Sequence, residues 1–345
     1  MGSHRVAGAP LDFAALRTEL AVPGDFSVPA LRDADTAARN PHLPDEDATD
    51  IPFVTVDPAG SKDLDQAVHV ARDGDGYLVS YAIADVACFV AAGSALDEET
   101  LRRGETIYFP DTRVPLHPPV LSEGAASLLP DQVRPAVLWR IGLDAAGDVT
   151  SIDVRRARVR SRAQLDYVGL QKQVDAGTPP DAVALLSEVG ALRRQLARKR
   201  HSINLDLPEQ EVIPMGVAPA ADTVRSGDGG GGGGAWTLVM RAELPVERDN
   251  AEISLLTGVC AAKLMLDAGY GILRTVPPPD QQAVQRLQRA ASALGIDWPR
   301  GAPMHTSRRR CVASSIATAA RSASRHTRRR RSRSGYGIAY RRCPE

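Results

Sequence analysis

Phe53-Val54-Thr55-Val56-Asp57-Pro58-Ala59-Gly60-Ser61-Lys62-Asp63-Leu64-Asp65-Gln66-Ala67-Val68-His69-Val70 is the stretch from which the rest of the chain can be read. Phe53 to Val56 predicts a buried strand, and Asp57 to Asp65 a polar loop. Ala67 to Val70, the turn Asp73-Gly74-Asp75-Gly76 and Tyr77 to Ile83 predict a hairpin, because Asp-Gly supplies the positive φ that tight turns need. The loop carries three carboxylates, Asp57, Asp63 and Asp65, within nine residues. Brought together, like charges about 4 Å apart repel by ~4 kcal/mol per pair at an effective dielectric of ~20. A divalent cation relieves that repulsion, and an oxygen-only donor set suits Mg²⁺. Such an ion lowers the pKa of a bound water and neutralises charge on a phosphoryl transition state. The same residues also fit an ordinary loop, where Asp and Gly are common. An EF-hand is excluded, since its glycine and closing glutamate are missing at the required offsets.

Outward from this loop, the patterns are mixed. Residues 1–50 form a short lead interrupted by Pro and Asp, with one predicted helix from Leu11 to Leu20. Ser94 followed by Asp97 reads as a cap, and Gly104 ends a predicted helix over Ala95 to Arg103. Val137 to Leu143 and Val149 to Val159 predict a second strand pair across Asp144-Ala145-Ala146-Gly147. Apolar residues at helical spacing predict helices over Asp181 to Arg200, Asn250 to Asp267 and Asp280 to Leu294. Strands and helices without strict alternation give an α+β class: a mixed, largely antiparallel sheet with packed helices. Gly229 to Gly234 lacks the spaced glycines and lysine of a phosphate cradle, so a flexible surface loop over 226–235 is expected.

Charge is segregated along the chain. The 345 residues hold 42 Lys+Arg and 42 Asp+Glu, yet residues 300–345 carry 13 arginines and Glu345 alone among acids. Residues 1–299 are therefore net acidic by 12 charges, and the neutral total describes neither part. The 302–345 segment is rich in Arg, Ser and Ala and cannot bury a core. It fits either a basic tail that grips RNA or the product of a reading-frame change, with the second favoured. Cys88, Cys260, Cys311 and Cys343 form no CxxC pair, which argues against a zinc ribbon or a disulfide framework. No apolar run approaches the ~18–20 residues of a membrane span. A soluble, cytoplasmic chain with no membrane association and no obligate protein partner is expected.

Further sequence extends the signal. Val54-Thr55-Val56-Asp57, Lys62-Asp63-Leu64-Asp65-Gln66-Ala67, Tyr81-Ala82-Ile83-Ala84-Asp85-Val86, Gly93-Ser94-Ala95-Leu96-Asp97, Thr106-Ile107-Tyr108-Phe109-Pro110, Val114-Pro115-Leu116-His117-Pro118 and Leu121-Ser122-Glu123 to Ser127-Leu128 occur in order. Together they resemble the ribonuclease II (RNB) family of 3′→5′ exoribonucleases. Weaker likeness runs through Leu165-Asp166-Tyr167, Asn204 to Glu209, Ile253 to Gly258 and Gly271 to Arg274, so the resemblance covers about residues 51–297. It implies an RNB-type catalytic domain over 51–301 that hydrolyses single-stranded RNA to nucleoside 5′-monophosphates with Mg²⁺. By the same resemblance Asp57, Asp63, Asp65 and Gln66 are metal positions, Asp65 is the residue most directly tied to catalysis, and Tyr108 stacks on a base near the RNA 3′ end. Without the resemblance, Tyr108 would read as a half-buried core tyrosine.

Departures from the family set further expectations. Gln66 stands where better-known members have a fourth aspartate, which removes one negative charge. The family's Thr-Ser/Ala-Pro-Ile/Leu-Arg-Arg segment, its S1-type domain and its cold-shock barrels are absent, so the chain reads as an incomplete catalytic domain with weak or no turnover. The alternative is a non-catalytic RNA-binding remnant that uses the arginine tail. His69, His117 and Asp85 read as structural residues, and Arg193, Arg194, Arg198, Lys199 and Arg200 as a solvated helix face.

Overall fold

The computed structural model describes residues 12–200, 209–214, 236–274, 280–293 and 340–341. They fall into two compact units, the larger holding the described residues up to 193, 209–214 and 236–257. Its centre is a mixed sheet of β1 (Glu46–Asp47), β2 (Phe53–Asp57), β3 (Gln66–Asp73), β4 (Gly76–Ala84), β7 (Val133–Leu143) and β8 (Val149–Asp166), while β5 (Ile107–Tyr108) and β6 (Arg113–Val114) form a separate small hairpin. The strand order is β1-β8-β2-β3-β4-β7, and β7 also pairs with β8, so five strands close into a ring. Only the pairings of β8 with β1 and β2 are parallel. The expected α+β class and largely antiparallel sheet are therefore present; the closure was not foreseen.

Closure follows from the length of β8. At 18 residues it is long enough to pair with β7 through its first part and with β2 through its last. The ring encloses Phe53, Leu64, Ala67, Ala82, Leu128, Ala136, Leu138, Ala157 and Val159. Alanine recurs because a small ring leaves little interior space. Phe53, fully buried, fills much of it and contributes about 1.5–3 kcal/mol by burial. The β3–β4 hairpin turns through Gly74, whose φ of 56° is the left-handed geometry the Asp-Gly pair predicted. Gly147, at φ 85°, closes the β7–β8 turn, where the Asp144 Oδ1 accepts from the N–H groups of Ala146 and Asp148.

A cluster of helices forms a second core. The lead contains two helices rather than one: α1 (Phe13–Glu19), capped by Asp12, and α2 (Val28–Arg39). Pro29 looked like an interruption, but in the first turn of α2 its missing N–H has no helical partner to lose. Ser27 supplies the cap by accepting from the Ala30 N–H. Ala30 and Ala34 of α2 then pack against Leu96 of α3 (Ala95–Arg103), with Phe89, Leu121 and Ala126. The Ser94 cap and the Gly104 stop of α3 are as expected.

After β8 come α4 (Tyr167–Asp175) and α5 (Leu186–Lys199). The helix expected from Asp181 starts as a separate 3₁₀ turn, Asp181–Val183. Arg193 departs from the expected solvated face: it is buried, and its Nη1 donates to the Gly147 carbonyl at 2.8 Å. β9 (Glu209–Pro214) and β10 (Trp236–Arg241) pair antiparallel, and the glycine run between them lies outside the described residues. α6 (Pro245–Asp267) follows and continues into the second unit. That unit also holds β11 (Leu273–Arg274), paired with β12 (Tyr340–Arg341), and α7 (Gln281–Ala293). Apart from Tyr340–Arg341, the 302–345 segment lies outside the described residues. No described helix is long and apolar enough to cross a membrane.

Gly76 shows how tightly the ring is drawn, since a Cβ there would lie 2.1 Å from the Leu143 carbonyl oxygen. Gly76→Ala is expected to destabilise the chain by about 2 kcal/mol or more in urea titration. Gly24→Ala, with nothing within 4 Å of the added methyl, is expected to change stability little.

Candidate active site

The carboxylate loop is pinned along its whole length. Asp57 ends β2, where pairing with Asp166 at the end of β8 fixes its backbone. Gly60 turns the chain at φ 82°, and the Ser61 hydroxyl donates to the Pro58 carbonyl at 2.8 Å. Gln164 of β8 donates to the Ser61 carbonyl at 2.7 Å. Ser127, fully buried, then holds both flanks of Asp63: its hydroxyl donates to the Lys62 carbonyl at 2.6 Å and accepts from the Leu64 N–H at 3.0 Å. Leu64 is itself sealed in the core, which forces its neighbours Asp63 and Asp65 toward the surface. Buried backbone groups need such partners, so the hydroxyl of Ser127 sets the course of the loop.

Asp57 and Asp65 feel the crowding of this loop. Burial, followed by repulsion from Asp65 and Asp63, pushes the Asp57 carboxyl up to about 7. Its Oδ2 is buried without a hydrogen-bond partner. Crowding, then Asp63, also raises Asp65, although Asp65 stays open to water at the surface. Asp63 is held differently, because Arg113 Nη1 lies 2.9 Å from its Oδ2. As placed, no three His, Cys, Asp or Glu side chains among the described residues are arranged to hold a metal ion. The donor chemistry nonetheless fits a hard cation, with an orphaned buried carboxylate oxygen and two coupled carboxylates beside it. Gln66, the remaining expected metal position, has its side-chain carbonyl engaged by the buried phenol of Tyr81.

Tyr108 is on β5 (Ile107–Tyr108), which pairs with β6 (Arg113–Val114). It is 65% exposed, so it is not a core tyrosine. It stands opposite Arg113, whose Nη1 is 2.9 Å from Asp63 Oδ2, and local crowding and then the charge of Asp63 raise its hydroxyl pKa. Arg113 reaches from Asp63 to Glu123, on a π-helical turn spanning Leu121–Ala125. Arg113, Tyr81 and Ser127 are residues that sequence reasoning did not assign to the site. The one available signal for Arg113 was its place four residues beyond Phe109, across a tight Pro-Asp turn from Tyr108. His69 and His117 are partly buried, with pKa lowered by desolvation, as structural histidines would be. Asp85 is buried and paired with Arg156.

Two expectations follow from this geometry. Ser127→Ala leaves the buried Leu64 N–H unpaired, so it is expected to lower stability by about 1–3 kcal/mol in urea titration. Asp57 carries a folded-state pKa above its unfolded value, so its contribution to stability is complete below pH 3.8 and is lost as pH rises through about 7. With chelator present, Asp57→Asn is expected to raise stability at pH 8 by about 1–3 kcal/mol and to change it little at pH 4.

Comparison with known proteins gives this site its setting. Against the exoribonuclease 2 of Serratia proteamaculans, the chain is 29% identical over 267 residues, which is 74% of this chain and 39% of that protein. It is 32% identical over 253 residues to the ribonuclease R of Aquifex aeolicus, covering 70% of this chain and 34% of that one. The chain thus spans well under half the length of these curated relatives. Mycoplasma genitalium RNase R, solved in complex with double-stranded RNA, superposes with a TM-score of 0.71 at 21% identity, over 84% of this chain and 51% of that one. Yeast Ssd1, described as a pseudonuclease, superposes with a TM-score of 0.56 at 15% identity, over 81% of this chain and 32% of that one. The RNB domain model matches residues 45–332, and with most of its length so matched the chain belongs to the RNB domain family.

Proposed function

We propose that this chain is the catalytic body of an RNA-degrading exoribonuclease that takes single-stranded RNA from its 3′ end to nucleoside 5′-monophosphates. The observation that carries the reading is the placement of an exposed aromatic ring, Tyr108, beside coupled carboxylates on a rigid loop. The names of the relatives, exoribonuclease 2 and ribonuclease R, support the same reaction class.

Each residue has a physical task. Tyr108 offers a flat face for a terminal base, worth about 1–3 kcal/mol per base and tolerant of sequence. Asp57 and Asp65, with Asp63, are the residues that would hold a divalent cation, and Mg²⁺ suits their oxygen-only donor set. When bound, the ion supplies charge neutralisation at the phosphate and a more acidic water. Asp65 faces solvent and is the carboxylate best placed to meet the incoming phosphate and water. Asp57 is partly buried with its Oδ2 out of reach of water, and its raised pKa makes it a ready acceptor of a compensating positive charge near neutral pH. The buried Cys88 and Cys260, neither of them in a disulfide, suit a reducing, cytoplasmic setting.

A second reading is a non-catalytic RNA-binding protein, favoured by one observation: Ssd1, described as a pseudonuclease, shares the fold. Incubation of the full chain with a uniformly labelled RNA oligomer and Mg²⁺ separates the two. The enzyme reading expects mononucleotide release that falls by about 10²- to 10³-fold in Asp65→Asn, with oligomer affinity retained. Tight RNA binding with no release by the unaltered chain would establish the second reading instead.

A further inference from the structure

The hairpin that carries Tyr108 is too short to hold itself. β5 and β6 are two residues each, and so small a ribbon has no independent stability. Its position must come from side chains. At the tip, the Phe109 N–H donates to the Thr112 carbonyl at 2.8 Å. Arg17 of α1 grips the same tip, donating to both carboxylate oxygens of Asp111 at 2.8 and 3.0 Å and lying 5.2 Å from the Phe109 ring centre. At the base, Arg113 stands directly opposite Tyr108 in the pairing register. One prong of its guanidinium meets Asp63 at 2.9 Å and the other meets Glu123. The side chain of Arg113 is only 14% exposed, and those of both carboxylates only 22%.

We propose that Arg113 is a positioning residue, fixing the Asp63 carboxylate relative to the Tyr108 ring so that a base stacked on the ring brings its phosphate to the carboxylates. The inference rests on the reading of Tyr108 as a base platform. Three features set this arginine apart from an ordinary surface pair. It joins the carboxylate loop, the π-helical turn and the aromatic hairpin through one rigid fork. The fork is mostly screened from water, where charge-assisted bonds are stronger. The hairpin tip has its own anchor in Arg17, so Arg113 is not needed to keep the hairpin on the protein. A lysine, with one compact charge, cannot span both carboxylates in this geometry.

The test uses the full chain, an RNA oligomer with 2-aminopurine as its 3′-terminal base, and Mn²⁺ as a spectroscopic cation. For Arg113→Met, oligomer affinity is expected to fall by about tenfold, the loss of part of one stacked base, and Mn²⁺ affinity to hold or tighten, since a positive charge next to Asp63 has gone. Quenching of the terminal base on binding is expected to fall by more than about half, because that readout reports stacking on an aromatic ring. Mononucleotide release is expected to fall about 10- to 100-fold, the scale of a small misplacement at a reacting centre. Arg113→Lys is expected to behave like Arg113→Met. Quenching unchanged in Arg113→Met but lost in Tyr108→Ala would overturn the role of Arg113 and leave the platform standing. Quenching retained in Tyr108→Ala would remove the platform and this inference with it. Loss of Mn²⁺ affinity together with quenching would show a general collapse of the site and overturn the positioning role.

Discussion

Ser127 makes the bond on which the site depends. Three aspartates in nine residues repel one another, and a loop left to itself would spread them apart. The Ser127 hydroxyl prevents this by holding the backbone on both sides of Asp63, while Leu64 anchors the same point in the core. Hydrophobic burial at a single leucine and two hydrogen bonds at a single serine thus oppose the electrostatic spreading. Burial first, and the neighbouring carboxylates after it, displace the ionisation of Asp57. Such displaced ionisation tends to collect where a protein does chemistry, because function requires charges that folding alone would avoid.

The ring of strands gives that loop a fixed base. β2 and β3 leave and re-enter the sheet on either side of the loop, and β8 runs alongside β2 to Asp166, next to Asp57. Because a ring resists shear more than an open sheet does, the two ends of the loop keep one spacing. The aromatic side of the site is built with less. Its hairpin has four paired residues, anchored at the tip by Arg17 and aligned with Asp63 by Arg113. The site therefore joins a rigid half, made by the sheet, to a lighter half held by ion pairs.

Much of this was legible in the sequence where the signal was local. The Asp-Gly turn at Gly74, the Ser94 cap, the Gly104 stop and the clustering of Asp57, Asp63 and Asp65 are each set by residues within a few positions. What escaped depends on contacts far apart in the chain. Ring closure needs β8 to meet both β7 and β2, and no local pattern states the second pairing. The α2 helix lies in a lead whose Pro and Asp residues point to interruption, although Pro29, in its first turn, is a starter. Arg193 carried a solvated look because charge usually means surface, yet its partner is the carbonyl of Gly147 on a distant turn. Gln66 opens β3 just after the loop, and its engagement by Tyr81 depends on the register of the β3–β4 hairpin. Tyr108 was ambiguous alone, and its 65% exposure decides against a core role.

The ring also sets a timetable for biosynthesis. β2 leaves the ribosome early, but the strand that completes its pairing ends at Asp166, more than a hundred residues later. Until β8 emerges, one side of β2 has no partner, and the nascent chain carries an open strand edge. Vectorial synthesis at roughly 5–20 residues per second keeps that edge exposed for several seconds. The abundance of charge on β8, with Arg155, Arg156, Arg158, Arg160 and Arg162 in one run, gives the late strand solubility while it waits. Glu46 and Asp47, the acidic pair that later meets Arg155 and Arg158, are already out to receive it.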